Sequence, residues 1–187
     1  MALPTDRDIE RTLQWALPRL PAATYPGKSF ESTYPAVIRD LAGKHKLKSR
    51  VEWDSYGQGY ASYVDAWFYQ DNAGFRLSPP VAGAMNFTGL YVLLCRLAPY
   101  YVMGQGAKSW TDGSGSSYLP HFSGVDQFPT QAVKDLAVKA DTFLASRGLV
   151  RLGNAEVAEE LPPEFHFDSN HTDGKPRLFD ALFFWND

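Results

Sequence analysis

At Ser49 the apolar residues of this chain change from helical spacing to strict alternation, and at Thr130 they change back. That switch separates helix-forming ends from a strand-forming middle, the pattern of an α+β fold rather than of alternating βαβ units. Before Ser49, Ile9, Leu13, Ala16 and Leu17 share one helical stripe, with Thr5 as N-cap, Asp8 three residues on, and Pro18 as the stop. Pro35 suits the first turn of a second helix whose apolar positions are Val37, Ile38, Leu41 and Ala42. Beyond Ser49, Val51 and Trp53 alternate with Glu52 and Asp54, Gly57-Gln58-Gly59 permits a reversal, and Tyr60 to Tyr69 returns as the second arm of a hairpin.

Phe75–Leu77 reads as a short strand after the turn at Asp71-Asn72-Ala73-Gly74. Met85–Leu97 and Pro99–Gln105, rich in β-branched and aromatic residues, read as two more strands, with a buried helix over Leu90–Leu97 as the alternative. Glycine, serine and Pro120 crowd the stretch from Gly104 to Gly124 and predict an irregular loop. A helix over 131–147 follows, with Thr130 as N-cap, Val133, Leu136, Ala137, Ala140, Phe143 and Leu144 on one face, and Gly148 as the stop. Leu149–Leu152 then predicts a short strand, 155–177 mostly loop with room for a helical turn, and Leu178–Trp185 a final buried strand. The expected architecture is a single α+β domain over residues 1–187. Its antiparallel sheet is formed chiefly by 49–70 and 85–105, with helices packed mainly on one face.

Composition bounds the functional classes. Apolar residues make up 44% of the 187, enough to bury a core and outside the disordered regime. The N-terminus has neither the basic flank nor the apolar run of a secretory signal, and Arg96 and Pro99 interrupt the greasiest segment, Leu90–Met103. With one cysteine, Cys95, in apolar company, these features predict a cytoplasmic protein with no membrane partner. Net charge is −3, but unevenly spread: residues 1–50 carry nine Lys/Arg against five Asp/Glu, and 156–187 carry two against eight. The basic run Lys44 to Arg50 is explained by helix-end complementarity, and an acidic pI near 5.8 argues against nucleic acid.

Motifs that carry chemistry are weak here. Ala22 to Ser29 fits a relaxed phosphate-loop pattern, but a helix rather than a strand precedes it and Pro26 removes an N–H donor. Gly104 to Ser109 is weaker, because Ala107 replaces the glycine before the lysine. No Gly-x-Ser-x-Gly elbow occurs, and burial makes Cys95 inert. His166, Asp168 and His171 form the densest group of metal-ligand types and define the alternative reading, a small metal-dependent enzyme; a polar surface loop explains the same residues. No cofactor is expected.

The helix ending Ala145-Ser146-Arg147-Gly148, the strand Leu149-Val150-Arg151-Leu152, the acidic loop after it and Arg177-Leu178-Phe179-Asp180-Ala181-Leu182-Phe183-Phe184-Trp185-Asn186-Asp187 together resemble bacterial immunity proteins encoded beside polymorphic toxins. The resemblance covers about a third of the chain, and the family has no invariant catalytic motif to carry over. It implies a cytoplasmic protein-binding inhibitor whose partner is a cognate protein toxin. Aromatic residues outnumber what one face of the hairpin can bury, and the C-terminal section is acidic. Together these predict a partner-binding face made of Trp53, Tyr56, Tyr60 and Tyr63 with Glu156, Glu159, Glu160 and Asp168, and Trp110 in the glycine-rich loop as a movable edge.

Overall fold

Apolar stripes at the two ends of the chain form helices, and the alternating middle forms the sheet that they cover. The structure, a computed structural model, describes residues 6–22, 30–53, 60–77, 84–111, 115–165 and 175–186. Helix α1 (Asp6–Ala16) passes directly into a 3-10 turn at Leu17–Arg19, because Pro18 in that turn's first positions needs no amide hydrogen. Helix α2 (Tyr34–His45) has Pro35 in its first turn and buries Tyr34, Val37, Ile38 and Leu41. Lys46 closes it in the left-handed conformation, φ 53°.

The strands are β1 (Lys48–Glu52), β2 (Tyr60–Ala61), β3 (Tyr63–Tyr69), β4 (Met85–Cys95), β5 (Tyr100–Trp110), β6 (Gly115–Ser117), β7 (Val150–Arg151) and β8 (Trp185–Asn186). The main sheet runs β1-β3-β4-β5-β6, every neighbour antiparallel, with β7 added in parallel along the first residues of β5. The expected hairpin therefore pairs β1 with β3. Tyr60 and Ala61 leave the sheet to pair with β8 instead.

Side chains alternate across a strand, so the register sorts residues onto two faces. One face carries Val64, Ala66, Phe68, Leu90, Val92, Leu94, Tyr101 and Met103. Helix α3 (Gln131–Ser146) packs there with its predicted stripe buried, tied down where Tyr101 donates to the Asp141 carboxylate at 2.5 Å, and α2 lies against it. The sheet of 49–70 and 85–105 with this helix on one face is as expected. Thr130 is the N-cap residue of α3 as expected, its carbonyl accepting from the Lys134 amide at 3.0 Å, but its side chain does not cap the helix: its N–H and hydroxyl both bond the Gln105 side-chain oxygen at 3.0 Å, fastening the helix start to β5. Gly148, at φ 81°, ends the helical segment.

Three expectations are corrected. Phe75–Leu77 contributes one isolated bridge, Arg76 to Phe87, rather than a strand. The supposed loop from Gly104 is strand to Trp110 and again at β6; Gly104 and Gly106 are there because aromatic side chains lie over them. A Cβ at Gly104 would sit 2.2 Å from the Tyr91 hydroxyl oxygen, and one at Gly106 2.2 Å from the Tyr118 ring. Finally, 178–185 begins as helix α5 (Leu178–Leu182), because the Asp180 carboxylate accepts the Arg177 amide at 2.7 Å and organises a helix start. A single-turn helix, α4 (Asn154–Val157), completes the chain's helices among the described residues, and none of them is long and apolar enough to cross a membrane.

Phe143 and Leu136 are 5% and 4% exposed. Replacing either by Ala is expected to cost about 2–5 kcal/mol in urea unfolding. Gly106→Ala is expected to cost about 1–3 kcal/mol, since Tyr118 must move off the sheet to admit a methyl group.

Candidate functional site

The second sheet face carries Arg50, Glu52, Asp65, Trp67, Tyr69, Phe87, Gly89, Tyr91, Lys108 and Trp110. The sheet curls about this face, so that its two edges, β1 and β6, line one cleft of about 460 Å3. Its walls are Arg50, Val51 and Glu52 from β1, Lys108, Ser109 and Trp110 from β5, and Gly115, Ser116 and Ser117 from β6. Across the seam the Arg50 guanidinium carbon lies 3.8 Å from the Trp110 ring centroid. Trp110 in turn stacks on Phe87 at 5.7 Å and meets Tyr69 and Trp67 edge-on at 5.8 and 6.2 Å. Ser109 and Ser116 hydroxyls bond each other at 2.7 Å on the cleft wall.

Beneath the cleft sits a buried charged group. Asp65 and Lys108 are 5% and 7% exposed, with Lys108 Nζ 3.4 Å from Asp65 Oδ2. The Tyr118 hydroxyl donates to the other carboxylate oxygen, and the ammonium lies 5.0 Å from the Tyr118 ring centroid. Burial pushes the Asp65 carboxyl above its ordinary value, while the Lys108 charge and the Tyr118 hydrogen bond pull it back. The pair is a fixed polar floor rather than a solvated ion pair. Tyr118 also stacks on Tyr91 at 5.1 Å, which ties this floor to the glycines of β5.

Those residues expected at a partner face that the structure describes stand in different settings. Trp53 is half-buried, and its carbonyl accepts from Arg96, which also reaches Glu31 at 2.5 Å. Tyr63 is corrected to a core residue: it is 8% exposed, because Phe183, just after α5, packs against it at 6.5 Å. Trp110 is corrected from a movable loop edge to the end of β5, locked in the aromatic cluster. Glu156 bonds the Gly153 amide at 2.8 Å and so caps α4, while Glu160 pairs with Lys175 at 3.1 Å and Arg177 at 3.8 Å. Glu159 is exposed. Trp53 directly follows β1, and the acidic residues follow β7, which pairs with β5. Tyr56, the Tyr60 side chain, and the cluster His166, Asp168 and His171 lie outside the described residues, as do 23–29 of the phosphate-loop-like stretch. Cys95 is fully buried with its thiol pushed up to about 12 by burial, in keeping with an inert residue.

Sequence reading missed the floor. Asp65 stands alone among apolar neighbours in the run Tyr63–Tyr69, every one of them buried, and an isolated carboxylate in such a run is the signal that points to it. Nothing in the sequence pairs it with Lys108, 43 residues away. Compared with protein-family models, curated proteins and solved structures, the chain matches none.

Because the folded Asp65 carboxyl titrates above its unfolded counterpart, its share of stability is fully present below the unfolded carboxylate range and is lost as pH rises through the folded one. Lys108→Met removes the charge that opposes this shift. The variant is expected to lose about 3–5 kcal/mol at neutral pH by stranding a buried carboxylate. Urea unfolding should show the deficit shrinking as pH falls and Asp65 takes up a proton.

Proposed function

We propose that the chain is a protein-binding inhibitor, an immunity protein that neutralises a cognate bacterial toxin domain in the cytoplasm, and that it engages its partner at the seam between β1 and β6. The observation that carries this reading is the cleft itself: the two strands that end the sheet order, β1 and β6, bracket a guanidinium stacked on an indole. Open edges offer main-chain donors and acceptors to an incoming chain. Arginine and tryptophan are the side chains that most often dominate binding energy at protein interfaces. The resemblance of 145–152 and 177–187 to immunity proteins supports the same reading. The Asp65, Lys108 and Tyr118 floor is consistent with it, since a partner gains most from groups already held in place.

The test is co-expression with the toxin domain encoded beside the gene. Cells carrying both are expected to grow, and the purified pair to bind stoichiometrically. Trp110→Ala should weaken that binding by about thirtyfold, the scale of an interface hot spot. Since Trp110 also supports the aromatic cluster, Ser116→Arg serves as a second variant, placing bulk at an exposed edge position and leaving that cluster intact. Growth arrest with every neighbouring toxin would sink the inhibitor reading; full binding by Ser116→Arg would move the interface elsewhere.

A further inference from the structure

The seam has a polarity and a charge that specify what fits it. In the order β1-β3-β4-β5-β6 each strand reverses its neighbour, so β1 and β6, the first and fifth, run the same way. One additional strand running opposite to both would pair antiparallel with each and close the curled sheet into a six-stranded barrel. Barrel closure is the one arrangement that leaves a sheet no edge. The length is set by the edges: β1 offers five residues and β6 three.

Charge selects among such segments. Arg50 is exposed, and among the described residues it forms no ion pair, its guanidinium being parked on the Trp110 ring. The other cations of this face are committed, Lys48 and Arg76 to Asp71 at 3.0 and 2.7 Å and Lys108 to Asp65 at 3.4 Å. Lys46, exposed at the turn that enters β1, adds positive potential at the same end of the strand. Glu52 lines the opposite end of the β1 wall, so the cleft is positive at one end only.

Resting on the inhibitor reading for the identity of the partner as a protein, we infer that the seam takes an extended acidic segment of that partner. The segment has three to five residues, is added as a strand antiparallel to both β1 and β6, and turns an Asp or Glu side chain toward Arg50. The guanidinium donates two in-plane, charge-assisted hydrogen bonds to the carboxylate while Trp110 backs one of its faces.

The experiment is selection of a displayed library of random twelve-residue peptides on the full chain, followed by titration of the enriched peptides and amide hydrogen exchange. Enriched sequences should carry Asp or Glu within a run of β-branched and aromatic residues. They should slow exchange in 48–52 and 115–117. Arg50→Glu should weaken them by about tenfold or more, the factor attached to one charged hydrogen bond, and on reselection favour Lys or Arg. Arg50→Lys should retain the acidic preference with lower affinity. An unchanged thermal midpoint, expected because Arg50 is exposed, shows that the variants fold. Absence of enrichment, peptides without an acidic residue, indifference to Arg50→Glu, or protection away from the two edges would each overturn the inference. Its failure is separable from that of the inhibitor reading. Protection of cells that survives Arg50→Glu keeps the inhibitor and discards the acidic segment, whereas acidic peptides in the seam without any protection do the reverse.

Discussion

Close approach of aromatic rings to bare backbone shapes this molecule. On the curled face, Trp67 lies over Gly89, Tyr91 reaches over Gly104, and Tyr118 lies over Gly106, each so near that a Cβ would fall within 2.2–2.6 Å of a ring or hydroxyl atom. Glycine in a strand interior gives up packing and entropy, and here it gains the contact distance that lets large rings fill a concave surface. The Trp67 indole then donates to the Gly106 carbonyl at 3.0 Å, tying β3 to β5 across the intervening β4. The curl brings β1 and β6 to one cleft. Without it the two edges would lie at opposite ends of a flat sheet, and the seam would not exist.

The same face holds the charged floor, and the two features support each other. Asp65 and Lys108 sit on strands that are not adjacent, and only a curled sheet brings their side chains together under Tyr118. An ion pair so little exposed adds little net stability against an apolar replacement, yet leaving either partner alone is costly, so the pair fixes which curl is compatible with the sequence. The opposite face is ordinary by contrast. There α3 and α2 cover β-branched and aliphatic side chains, and area burial dominates.

Periodicity made the helices legible: the stripe from Val133 to Leu144 is buried where the spacing requires, because a helix with one apolar face has a single way to hide it. It also made the β1–β3 hairpin and the β4 and β5 strands legible. It failed where a residue type serves two purposes. Glycines at 104 and 106 resemble loop formers until Tyr91 and Tyr118 are placed above them, and Leu178–Leu182 is apolar enough for a strand until Asp180 is seen bonding the Arg177 amide. Surplus aromatics in the hairpin resemble an exposed face until Tyr63 is set against Phe183.

The sequence by itself determined the class of fold, the helix that packs on the sheet and the burial of Cys95, because each follows from local spacing or from the neighbours in the chain. Tertiary structure alone decided the seam. Arg50 and Trp110 are far apart in sequence and belong to strands separated by two others, so their stacking depends on the accumulated curl of the whole sheet. The Asp65 and Lys108 pair depends on it in the same way. Curl is a sum over many strand contacts, and no local stretch of sequence encodes it.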